Sequence, residues 1–301
     1  MLPKRKLWVW VDSSNNCNLK CALCYTKASH HNAFLSPEEM DVIMEKIFRD
    51  DSIDVRHFTF NWRGEPLMNK NFPGLLRQLM AEKPSCEVDF HTNATLLTQD
   101  RAEAIASVAE DYKIFVSIDG GTRESHEKNR GEGNFDKSVE GINNLLRARN
   151  GNKFPRIGIY TIDLGIPESE YDPTFRELTK RVDYHTKVRP VYTNSDLIPL
   201  FEDPKKLGGQ KYQNLELNFF NPTIPQGPCF WVGNSFCISA NGDVSICLLS
   251  HSREGVVGNI IRDDVNQVLD NAKAIRTQIS THGRSSVNHC KNCSKLCGEA
   301  W

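Results

Sequence analysis

The run Cys17-Asn18-Leu19-Lys20-Cys21-Ala22-Leu23-Cys24-Tyr25 sets three cysteines at spacing C-x3-C-x2-C just ahead of an aromatic ring. Three thiolates in so short a run can take three corners of an iron–sulfur cube and leave the fourth iron without a protein ligand. A cluster with an open iron is a reaction centre, whereas a four-thiolate cluster carries electrons or braces a fold. The competing readings are a zinc knuckle short of one ligand and three incidental core thiols.

Working outward, the triplet follows the first of six β-rich runs: Lys6–Val11, Val55–Asn61, Glu87–His91, Ile114–Ile118, Arg156–Ile162 and Lys187–Tyr192. Helical patterns separate most of them. Ser36-Pro37-Glu38-Glu39 supplies an N-cap, a proline at the first helical position and acids in the first turn, which predicts a helix over Ser36–Arg49. Val139, Ile142, Leu145 and Leu146 recur at helical spacing within Phe135–Asn150. Strand–helix alternation predicts βαβ units and a parallel sheet, here an α/β partial (β/α)6 TIM-like barrel with reactive groups at the C-terminal strand ends.

The alternation covers residues 1–193. A Pro-, Gly- and Asn-rich linker is expected over 194–228, and a small second unit over 229–301. In that unit two alternating arms flank Asn241-Gly242, which predicts a type I′ hairpin, and a helix is expected over Asp263–Thr281.

With 39% hydrophobic residues in 301, the chain can bury one large core plus an appendage. A net charge of −1 offers no basic excess for nucleic acid or an anionic membrane. The apolar stretch after Lys6 is too short for a signal-peptide core, and no stretch approaches the roughly 18 apolar residues of a membrane span. A cytoplasmic protein is expected, in which the ten cysteines serve as metal ligands or reactive thiols rather than disulfides. Cys86, apart from both cysteine clusters, reads as a small buried hydrophobe.

The triplet and the segments after successive strands resemble the radical S-adenosylmethionine (SAM) enzymes over nearly the whole chain. That resemblance implies a [4Fe–4S] cluster on Cys17, Cys21 and Cys24, with SAM on the open iron and a 5′-deoxyadenosyl radical produced on reduction. Asn61-Trp62-Arg63-Gly64-Glu65-Pro66-Leu67 is similar to the family's Gly-Gly-Glu-Pro segment, with Arg63 in place of the first glycine. Gly64 and Glu65 are then expected at the SAM amino group. His91-Thr92-Asn93-Ala94-Thr95 resembles the segment near the ribose and brings in Asn93; Ser117-Ile118-Asp119-Gly120 resembles the ribose-contacting serine and aspartate. Arg130 resembles the arginine that meets the SAM carboxylate, and Tyr25 is expected near the adenine. A carboxylate, a guanidinium and short polar groups at strand ends match the ammonium, carboxylate and diol of SAM.

The second cysteine group comprises Cys229, Cys237, Cys247, Cys290, Cys293 and Cys297. It resembles the Twitch domain, a shortened SPASM domain holding one auxiliary [4Fe–4S] cluster. The resemblance implies Cys229, Cys247, Cys290 and Cys293 as ligands, with Cys237 and Cys297 as alternates. A zinc ribbon is the competing reading.

Within the family, the run Trp8–Cys17 resembles epimerases that tailor aminoglycosides. That implies hydrogen abstraction from a sugar carbon, return of hydrogen from a cysteine thiol on the opposite face, and thiol recovery through the auxiliary cluster. An S–H bond is weak enough to quench a carbon radical; an O–H bond is not. Ser250 stands where this resemblance places the donor cysteine. A Cys→Ser replacement, a donor at Cys237, Cys247 or Cys297, and a non-epimerase all fit that serine. For a polycationic substrate, carboxylates and neutral polar groups at strand ends are the candidates: Asp12, Asp89, His91, Tyr160 and Asp163. An electron donor such as flavodoxin or ferredoxin is implied as a partner, without nucleic acid or membrane. The rival activities are a radical SAM dehydrogenase of an aminoglycoside or cyclitol alcohol and a peptide-modifying radical SAM enzyme.

Overall fold

The computed structural model describes residues 4–24, 32–188, 229, 231–248 and 255–291. Tyr25, Ser250, Cys293, Cys297, the 194–228 linker and the predicted sixth strand beyond Val188 lie outside the described residues.

Six parallel strands run β1 (Arg5–Val11), β2 (Ile53–Thr59), β3 (Glu87–Thr92), β4 (Lys113–Ser117), β5 (Arg156–Ile162) and β6 (Tyr184–Val188). Between and around them lie α1 (Pro37–Ile47), α2 (Phe72–Ala81), α3 (Gln99–Ala106), α4 (Arg123–Arg130), α5 (Asn134–Arg149) and α6 (Pro173–Arg181). Helix α1 starts where its sequence predicts. Ser36 Oγ accepts from Glu39 N at 3.2 Å, and Glu39 Oε2 accepts from Ser36 N at 2.9 Å, a reciprocal capping box. Strand β6 begins three residues earlier than expected. Tyr184 pairs with Gly158 of β5, so ladder partners rather than local composition set its start.

After β6 come β7 (Ser235–Ile238), β8 (Asp243–Ser245), β9 (Val256–Asn259) and α7 (Val265–His282). Among the described residues the strands form a single sheet ordered β6-β5-β4-β3-β2-β1-β7-β8-β9. Strand β7 pairs parallel with β1, from Trp8↔Ser235 to Val11↔Ile238, while β8 and β9 run antiparallel. The barrel sheet therefore passes without a break into the second cysteine region, which no local pattern in the sequence announces. Lys46, in the last turn of α1, ties the two further by donating to the carbonyls of Ile260 at 2.8 Å and Asp263 at 2.7 Å.

The β7–β8 turn differs from the expected type I′. That turn needs positive φ at both Asn241 and Gly242, but only Gly242 has it, at +84°. Gly242 N donates to Ser239 O at 2.8 Å, and Ser239 N donates to Asp243 O at 2.9 Å. The loop is thus one residue longer, a turn followed by a glycine bulge.

The two faces of the sheet are chemically distinct. Phe58, Phe60 and Phe90 alternate toward the helices and are fully buried. Phe58, Phe60, Phe72 and Phe90 form a continuous chain of ring contacts at 5.7, 5.2 and 4.9 Å. The alternate positions, His57, Thr59, Asp89, His91, Phe115 and Tyr160, share the concave face. No described helix is long and apolar enough to cross a membrane.

Candidate active site at the C-terminal strand ends

The cysteine loop leaves β1 at Val11 and is held from four sides. Glu65 N donates to Asn16 O at 2.8 Å. Asn93 Nδ2 donates to Asn18 Oδ1 at 3.0 Å and lies 3.9 Å from Cys17 Sγ. Ala22 N and Leu23 N donate to Asn129 O and Oδ1 at 2.7 and 2.8 Å. From the hairpin tip, Ala240 N donates to Asn15 Oδ1 at 2.8 Å. The glycine of the second motif has a steric reason: a Cβ on Gly64 would lie 1.7 Å from Ser14 O, inside the cysteine loop's own backbone.

Glu65 is 3% exposed and joins this loop to β3. Its Oε1 accepts from Thr92 Oγ1 at 2.6 Å and Leu67 N at 3.2 Å, and its Oε2 accepts from Asn93 N at 2.8 Å. Burial raises its pKa, opposed by these donors and by the Arg130 charge. Oε2 still has a lone pair for one more donor, as an ammonium group requires.

Asp119 is fully buried at the end of β4. It accepts from Arg130 Nε at 2.6 Å, Arg130 Nη2 at 3.3 Å and Asn129 Nδ2 at 2.6 Å. Burial alone would raise its pKa, but the Arg130 guanidinium and the hydrogen bonds hold it below the usual range. Both oxygens accept donors, so Asp119 orients Arg130 and Asn129 at the end of β4. Ser117, 9% exposed, sits just before it at the strand end. Asn129 escaped the sequence reading. It grips both Asp119 and the cysteine loop, yet in sequence it is only a polar helix residue before Arg130.

The other strand-end candidates divide. Asp12 is fully buried, and its Oδ1 accepts from Trp62 N at 2.6 Å and Arg63 N at 2.7 Å. It also pairs with Arg63 Nε at 3.6 Å, so it braces the 62–64 turn instead of facing a substrate. Asp163 Oδ1 accepts from Gly165 N at 2.9 Å and shapes the turn after β5. Asp89, His91 and Tyr160 do come together. The His91 ring stacks on Phe115 at 5.0 Å and meets Tyr160 edge-on at 4.6 Å. Burial lowers the His91 pKa, leaving a neutral imidazole; burial with the Asp89 and Asp119 charges pushes Tyr160 up to about 12.

The Cys17, Cys21 and Cys24 thiols lie close enough for charge on one to disfavour charge on the others. Burial raises Cys21, and the Arg130 guanidinium opposes this. Among the described residues no three His, Cys, Asp or Glu side chains converge on a single point at metal-binding distance. The donor set nonetheless fits an iron–sulfur cluster: three neighbouring soft ligands with a guanidinium beside them to offset thiolate charge. In the second region Cys229, Cys237 and Cys290 are buried and Cys247 is partly exposed. Cys237 lies within electrostatic reach of Cys247, Arg63 and Asp12. Trp62 Nε1 donates to Leu248 O at 2.8 Å, which fastens the chain leaving Cys247 to the turn that carries Glu65.

Residues 11–178 match the radical SAM superfamily, and residues 229–294 match the SPASM iron–sulfur cluster-binding domain. The chain belongs to the radical SAM superfamily, an enzyme family, and carries a SPASM-type domain. Its cofactors are SAM and two [4Fe–4S] clusters.

Among curated proteins it is 33% identical to Fe-coproporphyrin III synthase of Methanosarcina barkeri, over 47% of this chain and 34% of that protein. It is 30% identical to mycofactocin maturase MftC of Mycolicibacterium smegmatis, over 44% of this chain and 32% of the relative. The chain thus spans about a third of the length of these two relatives. Among solved structures, BtrN in complex with AdoMet and 2-DOIA aligns with TM-score 0.57 at 17% identity, covering 98% of this chain and 95% of that one. Native anSMEcpe with bound AdoMet aligns at 0.63 and 15%, covering 95% and 88%. SuiB of Streptococcus suis bound to precursor peptide SuiA aligns at 0.61 and 16%, covering 99% and 72%. At these identities the likeness is one of fold.

Proposed function

We propose that this chain has the architecture of a radical SAM epimerase of an aminoglycoside, acting at C5‴ of neomycin C to give neomycin B. The observation that carries the reading is the Trp62–Leu248 hydrogen bond. It draws Leu248, the residue after Cys247, against the turn bearing Gly64 and Glu65. An epimerase needs a hydrogen donor across the substrate from the site of abstraction, and this reading puts that donor two residues after Leu248 in sequence. The run Trp8–Cys17 supports the same reading.

In this proposal Cys17, Cys21 and Cys24 hold the SAM-binding cluster, and Cys229, Cys247, Cys290 and Cys293 hold the auxiliary one. The bound cluster and SAM supply one-electron chemistry that removes a hydrogen atom from carbon. Glu65 receives the SAM ammonium through the spare lone pair on Oε2. Arg130, fixed by Asp119, receives the carboxylate; Asn93 and Ser117 line the ribose, and Tyr25 the adenine. Asp89, His91 and Tyr160 contact the sugar. The donor is the side chain at position 250, and a thiol there returns hydrogen to the opposite face. Cys237, fully buried in the β7 ladder, is less suited to that step.

Because Ser250 has no S–H bond, this chain is expected to abstract hydrogen without returning it at that position. The decisive assay incubates neomycin C, SAM and dithionite in deuterium oxide with the chain and with Ser250→Cys. Neomycin B carrying deuterium at C5‴ only with Ser250→Cys is the expected result. Failure of Ser250→Cys to form neomycin B removes the donor assignment. The serine also favours a second reading, a dehydrogenase of an aminoglycoside or cyclitol alcohol that needs no donor thiol. A ketone without solvent deuterium would establish it.

A further inference from the structure

Asp89 is 6% exposed and sits on the concave face of β3. His57 Nε2 lies 2.8 Å from its Oδ2. Its Oδ1 is buried, with no hydrogen-bond partner among the described residues. Glu65 and Asp119 accept donors on both oxygens, and Asp12, whose Oδ2 also has no hydrogen-bond partner, has the Arg63 guanidinium 3.6 Å from that oxygen. A buried carboxylate oxygen without a donor is costly, so it calls for a donor that completes it.

His57 engages only Oδ2, and the other neighbouring groups do not reach Oδ1 with a charge. His91, two residues along the same face, is held neutral by burial. Lys113 lies opposite Asp89 in the ladder but pairs with Glu87. Arg156, the next position in that row, pairs with Asp111 at 2.6 Å and donates to Tyr184 Oη at 2.7 Å. Tyr160, held as a neutral phenol, offers a hydroxyl near the Asp89 charge. Oδ1 is able to accept one more hydrogen bond, and a cationic donor satisfies both its lone pair and its charge.

We infer that Asp89 Oδ1 is the seat for an ammonium group of the amino-sugar substrate, and that His57 is the positioning residue that holds the Asp89 carboxylate in place from Oδ2. The inference rests on the aminoglycoside reading above and adds to it a residue, His57, and the chemical group bound. It makes substrate charge, not hydroxyl pattern alone, a determinant of entry into the barrel. On the same face Tyr160 meets the His91 ring edge-on at 4.6 Å, and His91, kept neutral by burial, does not repel a cation.

The test measures neomycin C binding to SAM-loaded holoenzyme by titration calorimetry, for the unsubstituted chain, Asp89→Asn, His57→Gln and His57→Phe. Asp89→Asn is expected to weaken binding about 30-fold or more. His57→Phe is expected to weaken it about fivefold, and His57→Gln, which keeps a donor toward Oδ2, to restore most of that loss. Fully N-acetylated neomycin C should bind the unsubstituted chain poorly and lose nothing further with Asp89→Asn. Equal affinity of Asp89→Asn and the unsubstituted chain for neomycin C overturns the seat. A His57→Gln loss as large as that of His57→Phe overturns the positioning role. If the unsubstituted chain binds neomycin C through Asp89 yet Ser250→Cys never converts it, the reaction is overturned and the seat stands. If Ser250→Cys converts neomycin C with a KM insensitive to Asp89→Asn, the seat is overturned and the reaction stands. No binding of neomycin C to the unsubstituted chain overturns both.

Discussion

The helix-facing and concave faces of one sheet are built from alternate residues of the same strands, and they follow opposite rules. On the helix side Phe58, Phe60 and Phe90 are sealed, and every ring has an aromatic neighbour. On the concave side His57, Asp89, His91 and Tyr160 are polar, partly enclosed and, at Asp89 Oδ1, incomplete. Packing energy is concentrated on one side, and unsatisfied bonding capacity is held on the other. That division lets strand ends carry chemistry without weakening the core.

The contrast can be broken most severely where the two motif loops cross. Gly64→Ala drives a methyl into Ser14 O, and no flexible side chain can yield there. We expect loss of the cysteine loop's conformation, read as loss of bound iron and of SAM-dependent spectral change. Next in size is Phe90→Ala, which opens a cavity in the aromatic chain. It should destabilise the fold by about 3–5 kcal/mol in denaturant unfolding. A concave-face substitution such as His57→Gln should by comparison leave unfolding nearly unchanged.

The smallest effect concerns pH. His126 is fully buried beside Asp119, where burial and then the Arg130 charge lower its pKa to about 4. Its native pKa lies below the unfolded value of about 6.5, so the unfolded chain binds the proton first. Stability is therefore complete above about pH 6.5 and falls toward pH 4, by up to about 3 kcal/mol. His126→Gln should flatten that slope in thermal melts recorded across this range; an unchanged slope would refute it.

Much of the fold was legible in advance because parallel strands and amphipathic helices each leave a local period. The six strands, the Ser36 capping box and the helix after the hairpin all follow from residues within a turn or two of one another. Legibility failed where partners are distant in sequence. The Asn241-Gly242 signal suggested the shortest turn, yet Ser239 and Asp243 close a longer one. Asp12 and Asp163 looked like strand-end acids available to a substrate, but backbone amides already hold one oxygen of each in shaping a turn. Asn129 and His57 carried no signal, since their importance lies wholly in which residues they meet.

Local sequence set the cysteine spacing, the order of motifs after successive strands and the strand–helix rhythm, because each depends on neighbouring residues and on short-range geometry. Only the tertiary structure joined β7 to β1, brought Trp62 to the carbonyl beside Cys247 and left one oxygen of Asp89 without a donor. Those outcomes depend on hydrogen-bond satisfaction across distant segments, a balance that exists only once the whole sheet has closed around them.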